Sequence, residues 1–475
     1  MKYDKFLEEV FNRVRSIENT LEVLSHSQLN VEDKIEQISL LEEIRHEIIS
    51  HDLVKELLTD ALSKKNNANS LQLKLIEKMY KSNSAIPIDL VKSLSKTKIE
   101  CQNLWKLSHS ETSNLEKLKE SFTDLIKLIR EVASIKSQQL KCSKYDSVLP
   151  TEVTEKDIKE IFPKVGKFFS ENIDKITEKQ KKNKVTNIQN VSIEKQVALG
   201  TAYLQQKGIE LDSIHTSYDY ISSIDYDESD FSYGLFALLR HSGYAIYQKY
   251  LAQNCINSQA AKHLMYEIQG LFMERTLGTS KEFIEFLQPH IKEKFAVKAR
   301  GKAKVSNIED LYSIFNRANL SPFLKHADQF TLLAHIMLRT KLEQDIINGT
   351  LEVNDLHDAW LEGMKHYKIP IKAKSELDTY FQDEYWVSGV IGYFPIKIIA
   401  LIAAVQIFSF IKSNFPEFLS AIVKEDFSLL IKWLSKNIYS AKYGSFETLK
   451  KVTGKNLDIE CYTNYLSEKY GLFNQ

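Results

Sequence analysis

The chain has 475 residues, 43% of them hydrophobic, and its 63 Lys and Arg residues are balanced by 63 Asp and Glu residues. This balance argues against a nucleic-acid-binding protein, because such proteins neutralise phosphates with an excess of positive charge. With only 15 Gly and 8 Pro, the chain has too few turn residues for a β-rich protein of this length, so we expect a mainly α-helical fold. The four cysteines form no CxxC pair, which predicts reduced thiols in a cytoplasmic protein.

Apolar residues recur at helical spacing from the N-terminus onwards. The opening segment MKYDKFLEEVFNRV is typical of an amphipathic helix and not of a signal peptide. A later segment places five apolar residues on one helix face, namely Phe122, Leu125, Ile126, Ile129 and Val132. We expect loops at residues 64–70, 82–87, 141–154, 178–187 and 366–376. None resembles a linker, so we expect one domain over residues 1–475, with an N-terminal helical subregion 1–150 and a second subregion 151–475.

Two segments depart from this spacing of apolar residues. Residues 208–231 are rich in Ile, Tyr, Ser and Asp with partial alternation, which predicts a small strand element. The most apolar run follows Pro395 and contains Lys397 and Gln406. It is too short and too polar for a membrane span, so we expect a buried helix.

The segment LFALLRHSGYAIYQ, residues 235–248, combines an apolar helix pattern with Arg240, His241 and Tyr244. It precedes YEIQGLFMERTLGTSKEF, which carries Glu267. On residue types alone, the first segment is either a core helix with polar residues or a helix that carries a site.

Several segments, taken in their order along the chain, resemble the carboxypeptidase Taq family. Its members are helical zinc metallocarboxypeptidases that remove C-terminal residues from peptides. The resembling segments include KYDSVLPTEVTEKDIKEIFPKV, LLAHIMLRTKLEQDI and FQDEYWVSGVIGYFPIK. The resemblance implies one large helical zinc-metallopeptidase-like fold with a central groove, and a small strand element before the former catalytic helix. It also implies a homodimer.

The family's catalytic helix carries His-Glu-x-x-His, in which the histidines bind zinc and the glutamate activates the metal-bound water. By resemblance, Arg240 takes the position of the first histidine, His241 that of the glutamate and Tyr244 that of the second histidine. Arginine has no lone pair to offer a metal, and tyrosine binds a metal only as a phenolate, against an ordinary pKa of about 10. The resemblance therefore implies a degenerate motif.

Glu267 takes the position of the family's third zinc ligand, and Tyr266 replaces the histidine before it. One carboxylate cannot hold catalytic zinc, which needs three protein ligands. We therefore predict that Arg240 pairs with Glu267 in place of the metal. The alternatives are that both side chains face solvent, or that His241, His263 and Glu267 form a new metal site.

The resemblance also assigns positions for peptide binding. The family's carboxylate-binding arginine is replaced by Leu324 in FLKHAD, where Lys325 or His326 could supply a substitute charge. The segment IHTS (214–217), in a shortened connection, takes the place of the family's His-Pro-Phe. Tyr385 replaces the histidine of the family's Gln-Asp-x-His-Trp. The retained positions are Gln269, Asp328, Gln382 and Asp383.

These substitutions favour a non-enzyme: an inactive pseudo-metallocarboxypeptidase without zinc or another cofactor, which binds a peptide or protein partner but no nucleic acid or membrane. One alternative is a metal-independent enzyme that uses the old cleft. Its candidate acid/base groups are His241, Tyr244, Glu267, Tyr385 and Tyr393. The third alternative is a residual zinc carboxypeptidase that releases C-terminal residues.

Overall fold

The computed structural model describes residues 2–472 except 26, 28, 64–69, 183–187, 189, 210–223, 225, 252–261, 296–306 and 440–443. The described residues are mostly helical, which confirms the predicted fold class, and they contain no strand beyond an isolated parallel bridge between Lys207 and Asp426. Most of the strand element predicted at 208–231 lies outside the described residues, as does all of the IHTS segment (214–217).

The α-helices are Lys2–Ser25 (α1), Val31–Ser50 (α2), Asp52–Ser63 (α3), Ser70–Ser84 (α4), Ile88–Ser110 (α5), Leu115–Leu140 (α6), Lys144–Val148 (α7), Glu155–Lys182 (α8), Ile193–Leu204 (α9), Phe231–Tyr250 (α10), Lys262–Leu271 (α11), Lys281–Lys294 (α12), Ile308–Phe315 (α13), Thr331–Asn348 (α14), Leu356–His366 (α15), Phe394–Asn414 (α16), Pro416–Val423 (α17), Ser428–Asn437 (α18), Ser445–Thr453 (α19) and Ile459–Tyr470 (α20). A π-helical turn spans Phe272–Thr276, and 3₁₀ turns span Thr112–Asn114, Leu277–Thr279, Leu324–His326, Val353–Asp355 and Glu376–Asp378.

The predicted loops 82–87, 141–154 and 178–187 are partly helical. Helix α4 continues through Ser84 into the first, and α7 lies inside the second, where the Ser143 hydroxyl caps it by accepting from the Asp146 backbone at 3.0 Å.

Helix α8 continues through Lys182 into the segment 178–187, which we expected to be a loop. Its last turn carries Lys179, Lys181 and Lys182, and cations in that position interact favourably with the helix dipole. The charge run that indicated a loop therefore belongs to a helix end.

The chain divides into two compact units. The first comprises Met1–Glu160, Asn254–Ala261 and His335–Pro395, and the second comprises Ile161–Gln253, Lys262–Ala334 and Ile396–Gln475. In the first unit, α5 packs against both α2 and α6. The predicted apolar face of α6 is buried throughout, from Phe122 to Val132, because this stripe is the surface that α6 offers to the core. The single domain over 1–475, with subregions 1–150 and 151–475, stays a prediction.

In the second unit, α10 and α11 cross at very close range. A Cβ atom added to Gly243 would lie 2.4 Å from the carbonyl oxygen of Gln269, so only glycine permits this approach. Helix α11 then continues into the π-helical turn. This crossing brings the residues of both segments face to face.

Helix α16 is long and apolar enough to cross a membrane by length and hydropathy, and it is the one such helix among the described residues. However, 89% of its most apolar window is buried within the protein. Gln406 is also satisfied internally: its Nε2 atom donates to Thr453 Oγ1 at 2.8 Å, and its Oε1 atom accepts from the Asp458 backbone at 3.0 Å. The predicted buried helix is confirmed.

Candidate functional site

The side chain of Arg240 lies between two carboxylates. Its Nη2 atom pairs with Glu267 Oε1, and its Nη1 atom lies 2.9 Å from Glu274 Oε2. The side chains of Glu267 and Glu274 are only 4% and 6% exposed. The ion pair predicted between Arg240 and Glu267 is therefore confirmed, and the alternative with both side chains in solvent is wrong.

Tyr244 closes a ring with these two residues. Its hydroxyl accepts a hydrogen bond from Arg240 Nε at 2.6 Å and donates one to Glu267 Oε2 at 2.9 Å. Its ring stacks on Tyr266, with centroids 4.2 Å apart and planes 10° from parallel. Both tyrosines stand where the resemblance places histidines. Gly270 leaves the space for this stack, since a Cβ atom there would lie 2.2 Å from the Tyr244 ring.

Glu274 extends the ion-pair network, which the sequence analysis missed. Its Oε1 atom lies 2.7 Å from Arg275 Nε. Burial raises the pKa of Glu274, but the positive charges of Arg275, Arg240 and Lys397 outweigh this and leave the pKa below its ordinary value. The only signal in the sequence is the seven-residue spacing from Glu267, which predicts a shared face in a regular α-helix but does not predict the π-helical turn that carries Glu274. We call Arg240, Tyr244, Glu267, Glu274 and Arg275 the Arg240 cluster.

Lys397 adds a third cation near the Arg240 cluster. It is 5% exposed. Burial, reinforced by the charges of Arg240 and Arg275, lowers its pKa to about 7 against the opposing effect of Glu267 and Glu274. Two guanidinium groups already balance the two carboxylates, so protonating this amine adds an excess positive charge.

The residues at the Arg240 cluster do not fit a zinc centre. Arg240 has no lone pair, and the Tyr244 hydroxyl is engaged with Glu267. Over the described parts of the chain, no group of three His, Cys, Asp or Glu residues is placed to hold a metal ion. The alternative site of His241, His263 and Glu267 is not assembled, because His263 is exposed whereas Glu267 is buried.

The other candidate acid/base groups belong to two different environments. His241 is half-buried and contacts the Tyr244 ring edge-on, with centroids 5.8 Å apart. Tyr385 and Tyr393 lie in the first unit and stack on each other at 5.1 Å. His241, Tyr244 and Glu267 lie in the second unit.

Two retained positions have structural roles. Asp328 accepts hydrogen bonds from the Phe330 backbone at 2.8 Å, from Thr331 Oγ1 at 2.6 Å and from the Tyr470 hydroxyl at 2.7 Å, which fixes the chain before α14. Gln269 is 1% exposed within the α10–α11 crossing. The assignment of both residues to peptide binding stays a prediction.

The position of the family's carboxylate-binding arginine is apolar and enclosed. Leu324 is 8% exposed. Of the two candidate substitute cations, Lys325 is exposed, and His326 packs on the Tyr233 ring with centroids 4.3 Å apart. Neither offers the planar, bidentate geometry with which arginine binds a carboxylate.

Asp383 binds a buried arginine in the first unit. Arg339 is fully buried, and its guanidinium pairs with both Asp383 oxygens. Its charge also lies over the rings of Trp360 and Phe394, 4.7 Å from each centroid. The neighbouring Gln382 donates from Nε2 to the Thr379 carbonyl at 3.0 Å. Asp383 therefore neutralises a core cation.

Glu343 joins the segments that carry the family resemblance. It is fully buried and accepts hydrogen bonds from the Tyr145 hydroxyl at 2.9 Å, Trp386 Nε1 at 2.8 Å and the Gly392 backbone at 3.0 Å. Burial raises its pKa to about 7 in spite of these donors and the charge of Arg339. The segments KYDS, HIMLRTKLE, QDEYW and GYFP thus meet at one carboxylate. Each segment is recognisable in the sequence, whereas their junction at Glu343 is visible only in the folded chain.

Comparison with known proteins agrees with this architecture. The family model described as Carboxypeptidase Taq (M32) metallopeptidase matches residues 7–470. Thermostable carboxypeptidase 1 of Pyrococcus furiosus is 29% identical over 254 residues, which is 52% of this chain and 49% of that protein. Carboxypeptidase 1 of Bacillus subtilis is 26% identical over 294 residues, 58% of each chain. The matched region thus spans about half the length of these curated relatives.

Solved structures show the same fold over the whole chain. The crystal structure of BsuCP superposes with a TM-score of 0.87 at 22% identity, covering 99% of both chains. The apo-Mg structure of Pyrococcus furiosus carboxypeptidase gives a TM-score of 0.84 at 22% identity and the same coverage. The chain therefore belongs to the carboxypeptidase Taq (M32) metallopeptidase family.

Proposed function

We propose that this chain is a catalytically inactive member of the family that has lost zinc and acts by binding a peptide or protein partner. One observation carries the proposal: the guanidinium of Arg240 lies between the buried carboxylates of Glu267 and Glu274. A guanidinium keeps its proton and therefore binds carboxylates but never a metal. It supplies the positive charge that the carboxylates need, without supplying Lewis acidity.

Peptide hydrolysis by a zinc enzyme needs three protein ligands, an open coordination position and a base for the bound water. Only Glu267 stands at a ligand position, and its two oxygens are already bound by Arg240 and Tyr244. The carboxylate-binding arginine is replaced by buried Leu324. We therefore expect peptides to be bound without removal of their C-terminal residue.

Metal content and peptidase activity test this proposal together. The protein is purified without chelators, its zinc is measured by mass spectrometry, and release of C-terminal residues is followed on a panel of N-blocked peptides with added zinc. Thermostable carboxypeptidase 1 of Pyrococcus furiosus serves as the positive control. We expect substoichiometric zinc and no release. Stoichiometric zinc with C-terminal release would instead establish the residual zinc carboxypeptidase.

The binding role includes a homodimer, which the family resemblance implies, and a cytoplasmic location, which the scattered cysteines predict. Light scattering on the purified chain should give twice the monomer mass of 54.9 kDa. Affinity capture with the intact protein, followed by competition with synthetic peptides from each captured candidate, identifies the partner. A captured protein counts as a partner only if its peptide displaces it.

A metal-independent enzyme is the second candidate, and one observation favours it. Lys397 is a buried amine whose pKa of about 7 leaves much of it uncharged at neutral pH, and uncharged buried lysines act as bases or nucleophiles in enzymes. Turnover that is lost in His241→Ala or Lys397→Met, with the fold retained, would establish this candidate over the first.

A further inference from the structure

The second unit carries a group of aromatic side chains at its surface. Phe410 lies near the end of α16, Phe415 directly precedes α17, and Trp433 lies on α18. Their rings pack against one another, with centroids between 5.7 and 6.2 Å apart, and all three side chains are partly exposed. Phe410 follows Lys397 on α16 by thirteen residues, about 20 Å along the helix axis. The group is therefore distinct from the Arg240 cluster.

Helix α18 adds exposed apolar and basic side chains beside this aromatic group. Positions three, four and seven residues after Leu429 lie on the same side of a helix as Leu429 itself, and they are Lys432, Trp433 and Lys436. Leu429 is 43% exposed, and both lysines are exposed. We call the combined surface the α18 patch; it consists of Phe410, Phe415, Leu429, Lys432, Trp433 and Lys436.

Trp433 joins the two parts of the α18 patch and has an unused donor. It packs on both phenylalanines and shares the outward helix face with Leu429 and the two lysines. In the described parts of the chain, its Nε1 atom donates to no acceptor. Tryptophan offers a large apolar ring with a polar edge, and it is enriched among the residues that dominate binding energy at protein interfaces. Contiguous apolar side chains at a surface mark a contact site.

The α18 patch lies in a segment with an excess of positive charge. Residues 409–437 contain four exposed lysines, namely Lys412, Lys424, Lys432 and Lys436. Over the residues that the structure describes, none of them forms an ion pair. Of the three carboxylates in this segment, Glu425 lies 3.2 Å from His290 Nε2 and Asp426 lies 3.3 Å from Lys207 Nζ. Only Glu417 then remains to oppose the lysines, so the segment attracts a negatively charged partner.

Two other occupants fit these observations less well. In a two-fold symmetric contact with a second copy, the same surface meets itself, so Lys432 and Lys436 would face lysines. A lipid surface is bound by aromatic side chains that insert below the headgroups, whereas the rings of the α18 patch are packed against one another and partly buried. An acidic protein segment with apolar side chains complements both the charge and the rings.

We propose that the α18 patch docks an acidic, extended segment of a partner protein in which acidic and apolar residues alternate. Lys432 and Lys436 are one helical turn apart, about 6 Å along α18, and alternate side chains of an extended chain are about 7 Å apart. Carboxylates at alternate positions therefore reach both lysines, while the apolar residues between them face Leu429 and Trp433. The proposal rests on the proposed function because that function needs a partner, but it does not depend on the loss of zinc.

The test measures binding of the peptide Ser-Glu-Leu-Glu-Phe-Glu-Ser to the full-length protein at pH 7 by calorimetry. The peptide is N-acetylated and C-amidated, so that it offers no terminal carboxylate to a carboxypeptidase site. The matched peptide has glutamine in place of every glutamate. We expect the acidic peptide to bind with an affinity that falls as salt is added, and the glutamine peptide to bind about tenfold more weakly or not at all.

Variants of the two lysines locate the binding site. Lys432→Gln combined with Lys436→Gln should weaken binding by about tenfold, the loss of two exposed charge pairs. Lys55→Gln combined with Lys117→Gln is the matched control: it changes the net charge equally, at exposed lysines of the first unit, and should bind like the parent. Lys432→Glu combined with Lys436→Glu should prefer a peptide with lysine in place of glutamate, which a misfolded variant would not do.

The proposal is overturned if the acidic peptide binds no better than the glutamine peptide, or if the Lys432 and Lys436 variants bind as well as the control. Sedimentation with phosphatidylcholine–phosphatidylserine vesicles that needs both lysines, without peptide binding, would assign the α18 patch to a membrane instead. A homodimer in light scattering that dissociates in Trp433→Ala would assign it to a second copy. Zinc content and peptidase activity enter none of these results, so failure here is distinguishable from failure of the proposed loss of zinc.

Discussion

Replacing Arg240 by methionine removes the cation between Glu267 and Glu274 while keeping a long, unbranched side chain. Breaking a buried ion pair by removing one partner costs about 3–5 kcal/mol, because the remaining charge is left uncompensated. Glu274 keeps Arg275 at 2.7 Å, so we count this cost once, for Glu267. The Tyr244 hydroxyl still donates to Glu267. We therefore expect a loss at the lower end, about 3 kcal/mol.

The assay is urea unfolding at pH 7 and constant ionic strength. Arg13→Met is the matched control, since Arg13 pairs with Glu9 at 3.7 Å with the two side chains 70% and 64% exposed. Such a surface pair should change stability by no more than about 0.5 kcal/mol. Adding Glu267→Gln to Arg240→Met should recover part of the loss, because the stranded charge is removed. If Arg240→Met costs no more than Arg13→Met, the guanidinium does not neutralise a buried carboxylate and the reasoning fails.

Three further predictions concern the buried charges. Lys397→Met should stabilise the protein at pH 7: the folded pKa of about 7 lies below the ordinary 10.5, a difference worth on the order of 5 kcal/mol. In the parent, stability should rise as pH increases from about 7 to 10.5, because only in the unfolded chain does Lys397 stay protonated over this range. Urea unfolding should show a flatter dependence of stability on pH for Lys397→Met. An unchanged dependence in the variant would contradict the assignment. The triple variant Arg240→His, His241→Glu, Tyr244→His should bind stoichiometric zinc with Glu267, and its failure to do so in metal analysis while folded would contradict the assigned register. Glu343→Gln should cost about 1–3 kcal/mol in urea at pH 8, since an amide N–H would then face hydrogen-bond donors; unchanged stability would show that these donors find other acceptors.

The ion pair of Arg240 and Glu267 could be predicted because a buried carboxylate in an apolar setting needs a positive charge beside it. Once the register placed both residues at ligand positions, an arginine and a carboxylate in a buried helix pair had to meet. The participation of Glu274 was harder to predict. It lies in the π-helical turn that follows α11, and such a turn has no reliable sequence signature.

Lys397 shows a second limit of sequence reasoning. In an apolar run it helped to predict a buried helix, and 89% of the most apolar window of that helix is buried within the protein. That its amine faces the charges of the Arg240 cluster depends on how α16 packs within its unit, which periodicity does not specify. Similarly, Glu343 was visible as part of a resembling segment, but its three donors come from residues 145, 386 and 392. Only the folded chain brings such distant positions together.

The ring formed by Arg240, Tyr244 and Glu267 has a consequence for the history of this chain under the proposed loss of zinc. Restoring a single histidine at position 240 would remove the guanidinium before a metal site existed, so the intermediate would carry an unneutralised buried carboxylate. Restoring position 244 first would place an imidazole beside the guanidinium and break both hydrogen bonds of the phenol. Both of these single reversions give a less stable protein, so under the proposed loss of zinc Arg240 and Tyr244 together oppose a stepwise return to a metal site.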